Sequence, residues 1–130
     1  MSVAMKYGSR ESANGGKAGS GRGTAKLWAN PSPGSNFAAQ SIDIDLTGYD
    51  FYAVQLRFST SYDYATEMMF FPVSDQTNSI TVTTIAQNRT GGRHCTYNPA
   101  TKKLAFDAAS YNGATNNAYA IPLYIWGVKL

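Results

Sequence analysis

Strict alternation of apolar and polar side chains is the feature that most constrains how this chain folds. In residues 40–46 the apolar side chains stand at every second position, at Ile42, Ile44 and Leu46. A period of two places such residues on one face of a β-strand. The next segment, residues 51–58, repeats the pattern with apolar residues at Tyr52, Val54, Leu56 and Phe58. Both segments therefore predict strands with one buried face.

Short segments of the same kind recur about every ten residues along the rest of the chain. Further strands are predicted at residues 25–29, 67–73, 80–87, 93–97, 103–108 and 118–130. Turns between them include 47–50, 89–92 (RTGG) and 98–102, which are rich in Gly, Pro, Asn and Asp. About eight evenly spaced strands without helical periodicity predict an all-β protein, an antiparallel β-sandwich of jelly-roll-like character. The order of the strands remains open.

The N-terminal segment differs in composition from the rest of the chain. Residues 1–24 contain six of the twelve glycines and few apolar residues, which predicts a flexible arm joined to a β-sandwich domain over residues 25–130. The positive charge is concentrated here: residues 1–26 carry a net +4, and residues 27–130 carry −1. A nearly neutral body makes nucleic acid an unexpected partner. We expect the arm to dock on a neighbouring protein, although a plain linker has the same composition.

An apolar run and a C-terminal aromatic residue predict core and subunit contacts. Residues 67–71 (EMMFF) are nearly continuously apolar, as in a strand buried on both faces or at an interface. The predicted interface consists of Met68, Met69, Phe70, Phe71 and Trp126. Because charged residues are only 15% of the chain and aromatic residues 13%, the composition suits an oligomer.

Two predicted loops carry the residue types of an adaptable recognition surface. The segments 59–66 and 109–117 combine Tyr with Ser, Gly and Asn, as binding loops of antibodies do. The candidate binding residues are Tyr62, Tyr64, Tyr111, Asn112, Asn116 and Asn117. The same residue types also form ordinary turns, so both interpretations stay open.

Catalytic and metal chemistry find little support in the sequence. The single histidine, His94, adjoins the single cysteine, Cys95, and neighbours in a strand point to opposite faces, so they are a poor nucleophile pair. Asp43, Asp45 and Asp50 lack the Gly and Glu of an EF-hand loop. We therefore expect no enzyme, no metal site and no cofactor. The lack of a long apolar run predicts no membrane span and no signal peptide.

One stretch resembles a known group of proteins. Residues 27–54 combine a Leu-Trp-x-Asn-Pro-x-Pro segment, a Phe-Ala-Ala-Gln lead into an alternating strand, and Leu-x-x-Tyr-Asp before the next strand. Together with Ala-Ile-Pro-Leu-Tyr-Ile-Trp-Gly-Val at residues 120–128, this resembles small structural proteins of tailed phages and prophages, of the tail-fibre head, baseplate or decoration type.

The resemblance implies a virion protein made in the bacterial host cytoplasm. Members of this group are commonly trimers of β-sandwich heads, and they decorate the particle or contact a host receptor, either a cell-surface glycan or a protein. The arm would then attach to a neighbouring virion protein. The alternative is a stand-alone carbohydrate-binding module that uses Tyr62, Tyr64, Tyr111 and Trp28, with Trp28 also readable as a core residue of its strand.

Overall fold

The structure, a computed structural model, describes residues 21–130, and for residues 62–66 it describes the backbone alone. Residues 1–20, most of the predicted arm, lie outside the described residues. The described strands are β1 (Gly23–Ala29), β2 (Gln40–Asp43), β3 (Phe51–Ser59), β4 (Tyr62–Pro72), β5 (Asn78–Ala86), β6 (Arg89–Asn98), β7 (Lys103–Phe106), β8 (Ser110–Tyr111), β9 (Ala114–Thr115) and β10 (Tyr119–Lys129).

These strands form two antiparallel sheets that pack face to face, which confirms the predicted β-sandwich. One sheet has four strands in the order β1-β10-β3-β4. The other has six: β5 lies on one side of β6, while β7 and β8 share its other side, with β2 beyond β7 and β9 beyond β8. In both sheets an early strand pairs with a late one, β1 with β10 and β2 with β7. Such long-range pairing is typical of Greek-key and jelly-roll connections.

The core follows from the alternation seen in the sequence. Tyr52 is 2% exposed, and Val54, Leu56 and Phe58 are fully buried, as the two-residue period predicts. From the opposite sheet the core receives Val82, Cys95, Tyr97, Leu104 and Phe106. Trp28 packs its ring against Phe37 and Phe106, with ring centroids 6.1 and 6.3 Å away. Trp28 is therefore half-buried and packs against the core.

The two ends of the sandwich carry different segments. The chain enters the described region at Gly21, and Gly23 pairs with Lys129 at the end that also holds turns 47–50, 73–77 and 99–102. We call this the proximal end. The opposite, distal end holds the turns at 60–61 and 87–88, the loop 30–39 and the segment 107–118. Because β10 has eleven residues, the two ends lie about 35 Å apart.

One side of the sandwich is closed by side chains instead of strand pairing. At the edge of β5 the backbone N–H of Ile85 donates to Glu67 Oε1 at 2.7 Å, and that of Thr83 donates to Met69 Sδ at 3.2 Å. Both acceptors belong to β4, the edge strand of the other sheet. These contacts satisfy donors that would otherwise offer a template for another strand.

Two predicted turns or loops were wrong, and a third contains short strands that were not predicted. Residues 62–66 belong to β4, whereas the sequence predicted a loop over 59–66. The hairpin turn between β5 and β6 lies at Gln87 and Asn88, so the predicted turn RTGG lies inside β6. Gly91 serves packing there, since a Cβ would stand 3.1 Å from the Cβ of Tyr119. Within 109–117, Asn112 and Gly113 form a two-residue turn between β8 and β9, with φ of 52° and 76°.

Candidate interaction surfaces

The outer face of the four-stranded sheet carries a row of apolar side chains. Strand register places Lys26, Trp126, Ala53 and Phe70 side by side across the sheet, and Ala29, Tyr124, Gln55 and Met68 in the next row. Directly paired residues share a face of a sheet. We define the aromatic face as Met68, Phe70, Tyr124 and Trp126, with Ala53 and Gln55 between them.

This aromatic face is open to solvent on the β4 side. The side chain of Phe70 is 59% exposed and that of Met68 is 41% exposed, while Ala53 between the two aromatic residues of its row is fully buried. Trp126 is half-buried, and its indole Nε1 donates to Gln55 Oε1 at 3.2 Å. The ammonium of Lys26 lies 4.3 Å from the ring centre of Tyr124 and 5.4 Å from that of Trp126. The face therefore combines apolar area with one cation held over two rings.

The predicted interface residues divide between two faces of one strand. Met68 and Phe70 point outward with Trp126, but Met69 and Phe71 point toward the core, where Phe71 lies 5.5 Å from the Tyr52 ring centre. The run Met68–Phe71 is therefore apolar throughout because Met69 and Phe71 pack in the core, while Met68 and Phe70 belong to the aromatic face.

Three of the predicted binding residues at the distal end make local contacts within the fold. The ring of Tyr111 stacks on Tyr119, with centroids 3.9 Å apart and planes 2° apart, and both rings meet Phe58 edge-on. Asn116 Oδ1 accepts the N–H of Ala118, and Asn117 Oδ1 accepts that of Ala109. Asn112 is exposed in its turn. Tyr62 and Tyr64 fall among residues whose side chains lie outside the described part.

Arg93 holds several backbone segments of the distal end together, a role that the sequence pattern did not predict. Its side chain is 2% exposed, and its guanidinium donates to the backbone carbonyls of Ala120, Asp107, Asn117 and Tyr119 at 2.8 to 3.3 Å. The ring of Phe37 lies 5.1 Å from the guanidinium carbon. Burial lowers the pKa of Arg93 to about 10. This cation is therefore a structural clamp.

A cleft of about 900 Å³ opens at the proximal end. Three turns form its walls: Leu46–Gly48, Val73–Thr77 and Tyr97–Ala100. The walls carry both polar and apolar side chains. The phenol of Tyr97 fixes one wall by donating to the carbonyl of Ile44 at 3.0 Å. The cleft therefore lies where the sequence predicted only ordinary turns.

Within the residues that the structure describes, no group of three or more His, Cys, Asp or Glu side chains could hold a metal ion. His94 and Asp107 form an exposed pair at 3.4 Å, while the thiol of Cys95 is buried on the other face of β6. Burial raises the pKa of Cys95 to about 12, so the thiolate is strongly disfavoured near neutral pH. No helix within residues 21–130 is long and apolar enough to cross a membrane.

Comparison of the chain with protein-family models, with curated proteins and with solved structures found no match.

Proposed function

We propose that this protein is a structural component of a phage or prophage virion, a β-sandwich head that associates with copies of itself, as a trimer. The observation that carries the proposal is the aromatic face of the four-stranded sheet. Its outward Phe70 and Met68 leave apolar area in water on an isolated chain. Contact with a second copy would remove that area from water and stabilise the assembly.

The composition of the face favours protein contact. Interfaces between subunits are enriched in aromatic residues and Met and depleted in Lys, Asp and Glu. Around Ala53 the face has three aromatic residues and one Met, and its one ammonium, Lys26, rests on two of the rings. Gln55 is already engaged by Trp126. The face therefore offers packing area with few unsatisfied polar groups.

The arrangement of the two ends supports attachment by the N-terminal arm. The chain joins the sandwich at the proximal end, and the distal turns stand about 35 Å away along β10. An arm held by a neighbouring virion protein would leave the distal turns facing solvent or the host cell. Asn112 and Gly113 lie at that end in an exposed turn. Contact with a host-cell glycan or protein belongs to this part of the proposal.

Mass measurement in solution tests self-association. We expect light scattering after size-exclusion chromatography to give three chains of 14.0 kDa, about 42 kDa, at micromolar concentration. Phe70→Asp should weaken association on the order of 100-fold, since a carboxylate would be buried without a partner. Ile85→Asp is the matched control, because Ile85 is 54% exposed and belongs to the other sheet.

The same experiment can contradict the proposal. A wild-type chain that stays monomeric at micromolar concentration would exclude stable self-association. Equal effects of Phe70→Asp and Ile85→Asp would move the interface away from the aromatic face. Urea unfolding of both variants checks that each remains folded, since both positions are solvent-exposed in the single chain.

A further inference from the structure

The cleft at the proximal end contains an acid, Asp75, that has no ion-pair partner among the described residues. Three other acids near this end form ion pairs: Asp43 with Lys103 at 2.6 Å, Asp45 with Lys102 at 3.4 Å and Asp50 with Lys129 at 3.6 Å. Asp75 lies in the cleft wall Val73–Thr77, and among the described residues none forms an ion pair or side-chain hydrogen bond with it. A cation brought to the cleft would therefore meet an uncompensated carboxylate.

The remaining cleft wall is suited to a peptide. Ser74, Gln76, Thr77 and Thr47 supply hydroxyl and amide groups, and Leu46, Val73 and Pro99 supply apolar contact. The Asn98 carboxamide oxygen already accepts the N–H of Ala100, which leaves its two amide hydrogens as donors toward a carbonyl. A peptide backbone with basic side chains complements such a mixture of groups.

The chain itself supplies a peptide of this chemistry next to the cleft. Residues 1–20 carry Lys6, Arg10 and Lys17 against Glu11, and they join the sandwich at Gly21, at the proximal end. From β1 to β4 the sheet spans three strand spacings, about 14 Å. Four extended residues cover about the same distance, so Lys17, which precedes Gly21 by four residues, can reach Asp75. Arg10 and Lys6 are farther from Gly21 along the chain and can reach Asp75 as well.

We propose that this cleft binds the chain's own N-terminal segment, residues 1–20, with its Lys and Arg side chains directed to Asp75. Because the segment is tethered beside the cleft, its effective concentration is in the millimolar range, so a weak contact is enough for occupancy. Under the proposed virion function, which this last step requires, the cleft would hold the segment until a neighbouring virion protein takes it.

Zero-length crosslinking of the full-length protein tests the proposal. A carbodiimide joins a lysine amine to a carboxylate in direct contact, and a mixture of ¹⁵N-labelled and unlabelled chains separates links within one chain from links between two. We expect links from Lys6 or Lys17 to Asp75 that carry a single label. Asp75→Asn should abolish them, while Asp107→Asn, which alters an acid outside the cleft, should leave them unchanged. The Lys103–Asp43 pair at 2.6 Å is the internal positive control.

Recovery of the Lys103–Asp43 link without any link to Asp75 would overturn the proposal. Links of mixed label would overturn it as well, since they would place another copy's segment in the cleft. As a second measurement, amide NMR shifts of Ser74–Thr77 should move in the triple variant Lys6→Gln, Arg10→Gln, Lys17→Gln and stay fixed in Arg22→Gln. The single-label link should also form in Phe70→Asp, in which self-association is weakened. Loss of the link can therefore be distinguished from a failure of self-association.

Discussion

Arg93 Nε donates a hydrogen bond of 2.8 Å to the carbonyl oxygen of Ala120, a residue whose φ of 49° is left-handed. A non-glycine residue in this region costs about 1–3 kcal/mol and persists only where its surroundings hold it. Ala120 is fully buried at the start of β10. The guanidinium also binds carbonyls of Asp107 and Asn117, so one side chain joins β10 to the distal segment 107–118.

We predict that Arg93→Lys destabilises the fold by about 2–4 kcal/mol, although the charge is kept. A lysine ammonium has no fork of N–H groups to reach several carbonyls, and the carbonyls left behind would be buried without partners. Urea unfolding measures the change as a shift of the midpoint with an unchanged slope. Arg22→Lys, at an exposed position, should have no measurable effect. A change below about 0.5 kcal/mol for Arg93→Lys would contradict the clamp.

The hydrogen bonds of Arg93 show which part of the fold could not be predicted from the sequence. The buried faces of β2 and β3 followed from a period of two, because apolar side chains at every second position have one way to leave water. Arg93 follows two glycines, a pattern that indicates a turn, and its acceptors are backbone carbonyls 14 to 27 residues further along the chain. A residue pattern carries no sign of such acceptors, since every residue type has a carbonyl.

Two buried acidic groups predict a loss of stability in alkali. Burial raises the pKa of Cys95 from 9.0 to about 12 and that of Tyr52 from 10.0 to about 12. The unfolded chain therefore releases these protons at lower pH than the folded one. Stability contributed by the neutral groups is complete below pH 9 and is lost as pH rises toward 12. Arg93, whose pKa is lowered, acts in the opposite sense only from about pH 10 upward.

Between pH 8 and pH 10 we expect the unfolding free energy to fall by about 1–2 kcal/mol, mostly through Cys95. Urea unfolding in the presence of a reductant at each pH measures it. Cys95→Ala should lower stability at pH 8 by leaving a small cavity, yet it should flatten the pH dependence by about 1 kcal/mol. Parallel pH profiles of the two proteins would refute the assignment to Cys95.

Gly127 gives a test of close packing in β10. A Cβ at this position would lie 2.7 and 2.8 Å from two ring carbons of Tyr49 and 2.9 Å from Leu27 Cδ1. We predict that Gly127→Ala costs about 1–3 kcal/mol through overpacking. Combining it with Tyr49→Ala should remove most of this cost, which a double-mutant cycle detects as a favourable coupling. Gly34→Ala is the control, because no atom lies within 4 Å of its Cβ position.

The distal hairpin shows a second limit of the sequence pattern. Asn-Gly at 112–113 is a strong signal for a two-residue turn, but the strands it joins have two residues each, too short for an alternation to be visible. The sequence of 109–117 therefore predicts a polar loop and no strands. The partner of Tyr111 is Tyr119, which the sequence placed in another element.

The stacked pair decides between a packing role and a binding role for Tyr111. Its ring contacts Tyr119 over a full face and Phe58 at an edge, so we predict that Tyr111→Ala lowers stability by about 2 kcal/mol. Tyr111→Phe keeps the ring and should remain within about 0.5 kcal/mol of wild type. Thermal unfolding of both variants checks this, with Ser110→Ala as the control, since Ser110 is exposed and adjacent strand residues point to opposite faces. If Tyr111→Ala were as stable as wild type, the ring would contribute nothing to the stability of the fold and would be available to a ligand.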